Sequence, residues 1–422
     1  MHGISFRYER FIRTTDQTEN HRVQNRNGEF PRTMKESFEG IRSIEEQYQL
    51  NTYAKLPIAI ERGEGVWVYD SDGKKYLDLY GGHAVALTGH CHPRIVRAVH
   101  EQVDRLIFYS NVVYSSIRAY ASRELVEVAP ENMDRVFFCN SGTESNETAM
   151  KIARRFTGKK TIVAMEGGFH GRTTGALGAT ALGSYRKQFS PLIEDYRFIP
   201  FGDEDILDSA LDDDVAGIIL EPIQSMAGVK MAEDAYYRRL REVCTQRGTV
   251  LIFDEVQTGL GRTGSWFFGD AIGVAPDIIT MAKGIGGGIP IGAVLLDARI
   301  SRTIGHGEHG ATFGGGPVAS AALLANIRAI KEEDLVENSR NVGNHIMERL
   351  PAAPAVKQVR GRGLLLGVEL HEGKTAKQVR DALLERNIIT GTSADPQVLR
   401  ILAPITLTGD DADIFINAMM EL

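Results

Sequence analysis

An α/β fold is what this chain predicts: a mainly parallel sheet covered by helices on both faces, followed by a smaller α+β domain. Three observations carry that expectation. Short apolar runs without alternation recur at 161–165, 215–220, 249–253, 278–281 and 291–296, as strands buried on both faces require. Amphipathic helical stretches stand between such runs: 145–156 gathers Ala149, Ile152, Ala153 and Phe156 on one face, and 235–247 gathers Tyr236, Leu240, Val243 and Cys244. The length of 422 residues exceeds what one simple core supports and suits two or three subdomains.

In chain order, residues 1–44 read as an N-terminal tail or extension. Residues 1–33 are rich in Arg, Asn, Thr and Glu without a sustained period, and Met34 is expected to be the natural start. Residues 45–80 form a segment expected to pack with the smaller domain. In it, Val66, Val68 and Tyr76, Leu77 flank the turn signal Asp70-Ser71-Asp72-Gly73. Residues 81–316 make the large domain, with a first apolar run at Val136-Phe137-Phe138-Cys139 ahead of helix 145–156. Residues 317–422 make the smaller domain. A helical stretch through Leu323, Leu324, Ile327 and Ile330 leads to strand 364–370, helix 375–386 with Ala376, Val379 and Leu383, strand 397–402 and a final helix.

Composition narrows the function. A formal net charge of −7 gives no basic footprint for nucleic acid. No uncharged apolar run reaches the roughly 18 residues of a membrane span. Three cysteines, Cys91, Cys139 and Cys244, read as reduced thiols of a cytoplasmic protein. The stretch His90-Cys91-His92 looks metal-like, but Pro93 follows and no second ligand pair has matching spacing, so a structural turn is expected there and no metal.

Ligands of open α/β sheets bind beyond the carboxyl ends of the strands. Several runs here deliver polar groups to that edge: Asn140-Ser141-Gly142-Thr143-Glu144, Glu221-Pro222-Ile223-Gln224, Asp254-Glu255-Val256-Gln257 and Lys283-Gly284. Ser141-Gly142-Thr143 opens a helix, so it is either an anion site made of unpaired N–H groups or a plain cap. Asp254 follows four large apolar residues and needs a partner: a protonated ring nitrogen, an arginine or a metal. Glu255 alternates in direction with it, which disfavours a paired-carboxylate metal site. Lys283 ends an apolar run, where partial desolvation makes a lysine nucleophilic. The glycines from Gly284 to Gly288 do not make a dinucleotide or Walker loop, because another strand follows them. In Phe169-His170-Gly171-Arg172-Thr173 the aromatic ring could stack on a planar cofactor and Arg172 could hold a carboxylate.

These segments, with Ala282-Lys283-Gly284 and Asp254-Glu255-Val256-Gln257-Thr258-Gly259, together resemble the signature of class III aminotransferases over roughly residues 45–422. The resemblance implies a fold-type I pyridoxal-phosphate enzyme with a seven-stranded, mainly parallel sheet, working as a homodimer with shared sites. It implies pyridoxal 5'-phosphate as cofactor, with Lys283 holding it as a Schiff base and shuttling a proton, and Asp254 binding the ring nitrogen. By the same resemblance Phe169 and Val256 would enclose the ring, and Gln257 would contact the ring hydroxyl. Ser141, Gly142 and Thr143 would hold the phosphate, and Thr312 would reach the phosphate of the other subunit.

Within the class, the stretch Tyr76–Val85 ending in Gly89-His90-Cys91-His92-Pro93 is most similar to the acetylornithine and succinylornithine aminotransferases of arginine biosynthesis. The implied reaction passes an amino group from a small ω-amine donor to a 2-oxo acid, 2-oxoglutarate, giving a semialdehyde and glutamate. Arg172, Arg400 and His83 are the candidate substrate residues. Other ω-amines (ornithine, 4-aminobutyrate, a diamine, a β-amino acid), an aminomutase or a decarboxylase remain alternatives. One departure bears on the choice: after Glu221-Pro222-Ile223-Gln224 many relatives carry a glutamate that pairs with the Arg400 equivalent, and this chain has Met226 there.

Overall fold

The computed structural model describes residues 36–183 and 185–422. The expected tail over 1–33 and the start at Met34 lie outside the described residues. The chain separates into a unit ending at Leu56 and a unit from Pro57 to Leu422. In the first, helix Phe38–Tyr48 starts where the Ser37 hydroxyl accepts the Gly40 N–H at 3.2 Å. This cap places helix across the boundary expected at residue 44.

The second unit is built on a seven-stranded sheet. Its spatial order is Met133–Cys139, Gly292–Asp297, Ile278–Met281, Val250–Asp254, Val215–Leu220, Thr161–Met165 and Tyr196–Ile199. The last five pair in parallel. Gly292–Asp297 alone runs antiparallel to both its neighbours. Its cause is the short connection from Met281 to Gly292, since a parallel return needs a long crossover. The expected helices are present with slightly wider bounds, Gly142–Thr157 and Asp234–Arg247, and each ends at a glycine, Gly158 and Gly248.

Two four-stranded sheets complete the unit. Ile60–Glu64, Trp67–Asp70 and Lys75–Asp78 form an antiparallel series that pairs in parallel with Ile388–Ile389. Val356–Arg362, Leu365–Leu370, Val398–Ile401 and Gly391–Thr392 form the other, in which Arg400 stands between Gly367 and Gly391. Helices Pro93–Arg105, Ser116–Glu127 and Leu335–Arg349 and strand Val356–Arg362 are present beyond the elements expected from the sequence. The core runs continuously from the flank of the large sheet through Leu323, Ile327, Leu366 and Phe415. No described helix is long and apolar enough to cross a membrane.

Candidate active site

The strands ending at Cys139, Leu220, Asp254 and Met281 discharge into one cavity of about 410 Å³. Ser141, Gly142, Thr143, Phe169, Arg172, Asp254, Val256, Gln257 and Lys283 all line it. Nine expected residues, contributed by distant segments, therefore meet in one place.

Asp254 closes its strand and is buried. Its Oδ2 accepts Asn146 Nδ2 at 2.7 Å and His170 Nδ1 at 2.8 Å, and its Oδ1 accepts the Val256 N–H at 3.1 Å. Three donors thus fix the carboxylate and offset the cost of its burial. Glu255 turns the other way, as strand alternation requires. Burial pushes its carboxyl up to about 8, and it accepts the Phe268 N–H at 2.9 Å. On the neighbouring strand end, burial pushes Glu221 up to about 7 while its Oε1 accepts the Phe169 N–H at 2.8 Å.

Lys283 opens the turn Lys283–Gly286 with φ of 45°, a left-handed conformation that costs a non-glycine residue about 1–2 kcal/mol. Strain held at such a point is a mark of functional sites. Burial draws the ammonium below its usual range, Asp254 and Glu221 pull it back up, and Arg400 lowers it again.

Helix Gly142–Thr157 begins with Ser141, whose hydroxyl accepts the Glu144 N–H at 3.3 Å. The Ser141 side chain is therefore a cap, which leaves the first-turn N–H groups of Gly142 and Thr143 for an anion. A Cβ on Gly171 would come within 2.2 Å of Thr143 Oγ1, so only glycine lets the two segments meet. The Val256 methyls pack against Gly142, where a Cβ would come within 3.0 Å.

Arg172 is exposed, with its guanidinium 3.9 Å from the centre of the Tyr185 ring. Gln257 Oε1 is buried without a hydrogen-bond partner. These features fit a flat ring bearing a phosphate. The anion would meet the helix N-terminus, a ring nitrogen would meet Asp254, and a ring hydroxyl would satisfy Gln257.

Three expected residues lie outside the cavity wall. Thr312 is exposed beside Phe313. Arg400 is buried and His83 is linked to it through Tyr80, whose hydroxyl sits 2.8 Å from both Arg400 Nη2 and His83 Nδ1. Asn146, His170 and Tyr80 were not singled out from sequence. Asn146 left a trace, since it falls in helical phase with Ala149 and Ala153 of the apolar face.

The family model described as Aminotransferase class-III matches residues 48–422. An acetylornithine aminotransferase of Methanopyrus kandleri is 44% identical over 90% of this chain and 97% of its own length. One from Mycolicibacterium smegmatis is 42% identical over the same shares, 90% and 97%. Among solved structures, the ornithine aminotransferase of Toxoplasma gondii ME49 superposes with a TM-score of 0.87 at 30% identity, covering 92% of this chain and 94% of that one. A second structure of the Toxoplasma gondii enzyme is described with PLP at its active site. The acetylornithine aminotransferase of Elizabethkingia anophelis gives a TM-score of 0.80 at 28% identity, covering 92% of this chain and 100% of that one.

Proposed function

The chain belongs to the class III aminotransferases, and on that premise we propose that it moves the terminal amino group of N-acetylornithine, or of N-succinylornithine, to 2-oxoglutarate. Pyridoxal 5'-phosphate is the cofactor of this reading, and arginine biosynthesis its setting. The observation that carries it is the cavity in which Lys283, the clamped Asp254 and the first turn of helix Gly142–Thr157 converge. The donor follows from the acetylornithine aminotransferases to which the chain is 42–44% identical.

Bound there, pyridoxal phosphate supplies an electron-accepting ring and a carbonyl carbon that can take and give an amino group. Gly142 and Thr143 hold its anion by their N–H groups. Asp254, clamped by Asn146 and His170, would hold a proton on the ring nitrogen. Phe169 and Val256 keep water from the ring faces. Lys283 Nζ, its proton loosened by burial, takes and returns the proton at the substrate carbon. Arg172, at the exposed rim, grips the α-carboxylate of the donor, so that the far amine points inward.

The test is a donor screen on the cofactor-loaded enzyme without oxo acid. N-acetylornithine should bleach the visible cofactor absorbance and 2-oxoglutarate should restore it; a response only to other amines would discard this donor. In Arg172→Ala the KM for N-acetylornithine should rise about tenfold or more, and that for a simple diamine far less. Equal rises would remove Arg172 as the reader.

We also assign the chain to a homodimer in the cytoplasm, a compartment that keeps thiols such as the exposed Cys91 reduced. Ile107, Tyr109, Val112 and Tyr114 are exposed, and Phe108 stacks at 4.9 Å on Phe313, next to the exposed Thr312. An apolar patch continuous with Thr312 suits a second copy that receives this threonine. Light scattering should give twice the mass of one chain; the mass of a single chain would overturn the assignment.

A further inference from the structure

We propose that Tyr80, oriented by His83, is the built-in partner of Arg400 whenever the bound substrate brings it no carboxylate. The inference rests on the function proposed above and takes Arg400, one of the candidate substrate residues, as the group that binds a carboxylate of the oxo acid. Arg400 is 2% exposed and makes three hydrogen bonds: Nε to the Thr392 carbonyl at 2.7 Å, Nη1 to Ser225 Oγ at 3.2 Å and Nη2 to Tyr80 Oη at 2.8 Å. All three acceptors are uncharged. A buried guanidinium is costly unless its N–H groups are satisfied. Met226, next to Ser225 in the chain, offers only a thioether, and Glu221, whose charge Arg400 feels, accepts the Phe169 N–H rather than an Arg400 N–H.

The position of Tyr80 is built rather than incidental. Its ring lies where a Cβ on Gly391 would come within 2.0 Å of Cε2, and Gly391 is the sheet partner of Arg400. The proton bookkeeping then follows from donor chemistry. Arginine can only donate, so the Tyr80 oxygen accepts from Arg400 and its own proton goes to His83 Nδ1, 2.8 Å away. His83 must be neutral to accept it. Burial, Arg400 and Lys283 all lower its pKa, in agreement with that role. His83 is held for the task in a left-handed conformation, φ 64°, with its ring 4.7 Å from that of Tyr80.

A phenol satisfies Arg400 without neutralising it. When the donor amine enters on its methylene chain, Tyr80 keeps the guanidinium paired. When a carboxylate arrives, it outcompetes the neutral oxygen, because hydrogen bonds between ions are about twice as strong as those of neutral groups. One arginine thereby serves two half-reactions without a carboxylate switch.

The experiment is Tyr80→Phe in the cofactor-loaded enzyme, read as kcat/KM for each substrate and as calorimetric binding of glutarate, a dicarboxylate that cannot react. Removing the hydroxyl strands Arg400 Nη2, in the free enzyme and the donor complex alike, until a carboxylate arrives to accept from it. The donor value should therefore stay within about twofold, while the 2-oxoglutarate value rises about tenfold and glutarate binds correspondingly tighter. Parallel losses for donor, acceptor and glutarate, or no change in any of them, would overturn the proposal. His83→Ala should shift the ratio the same way by a smaller factor, which keeps the test open if Tyr80→Phe misfolds; an unchanged ratio there refutes the role of His83. Arg400→Lys separates the underlying reading: if it spares 2-oxoglutarate as much as the donor, Arg400 is not the carboxylate reader and that premise fails first.

Discussion

Lys283→Ala should abolish turnover, by on the order of 10⁴-fold or more, and with it the visible absorbance of the lysine-linked cofactor. The loss is expected to be this large because one atom, Nζ, carries two tasks: it anchors the cofactor and it moves the proton at the substrate carbon. The fold should survive. Lys283 sits in a turn of which Gly284, Ile285 and Gly286 are the buried members, and alanine in its place keeps the same left-handed strain without adding any. Removing a cation from beside Asp254 and Glu221 should also make Glu221 harder to ionise, because Lys283 is one of the charges that hold its pKa down. Circular dichroism with an unchanged melting profile, alongside lost activity, is the expected pair of results. Near-normal turnover in the variant would refute the central assignment.

The sheet and the floor of the site were legible because both rest on local rules. Buried parallel strands read as unbroken apolar runs, so the strands ending at Leu220, Asp254 and Met281 could be placed to within a residue or two. The residues just after such runs must lie at the ligand-binding edge, and this located Asp254, Lys283 and Ser141–Thr143. What stayed hidden depends on contacts between segments far apart in sequence. Asn146 is turned to Asp254 by helix phase, and His170 reaches it across 84 positions. Tyr80 follows strand Lys75–Asp78, and it is the parallel pairing of that strand with Ile388–Ile389 that sets it beside Gly391 and Arg400. Helix Pro93–Arg105 did carry a signal, with Ile95, Val99 and Val103 at helical spacing, although only Ile95 is buried there. The direction of Gly292–Asp297 follows from connection length, which apolar runs do not encode.

Asp254→Ala should lower kcat by about 10²–10³-fold with a smaller effect on KM, since the charge acts on the electron-accepting power of the ring rather than on substrate contacts. The carboxylate is the terminus of a buried network, so its loss has a structural side as well. His170 Nδ1 would lose its acceptor and Asn146 Nδ2 one of its two, the His170 carbonyl remaining, at about 1–3 kcal/mol for every N–H left unpaired. His170 Nε2 is already without a partner, so the ring has no second acceptor to turn to. A lowered melting temperature is therefore expected, and by itself it would not separate electrostatics from packing. A cofactor analogue methylated on the ring nitrogen does separate them. It carries a fixed positive charge that needs no carboxylate to keep it, and the space vacated by the side chain accommodates the methyl group. If Asp254 acts by holding the nitrogen cationic, the analogue should restore a large part of kcat in Asp254→Ala while leaving its melting temperature low. Recovery of stability without activity would reverse the assignment and make Asp254 a packing residue. The charge balance of the pocket gives an independent check. Asp254 raises the pKa of both Lys283 and Glu221, so in the variant apoprotein each group should lose its proton at lower pH, and the amine should react with an acylating probe at lower pH than in the parent.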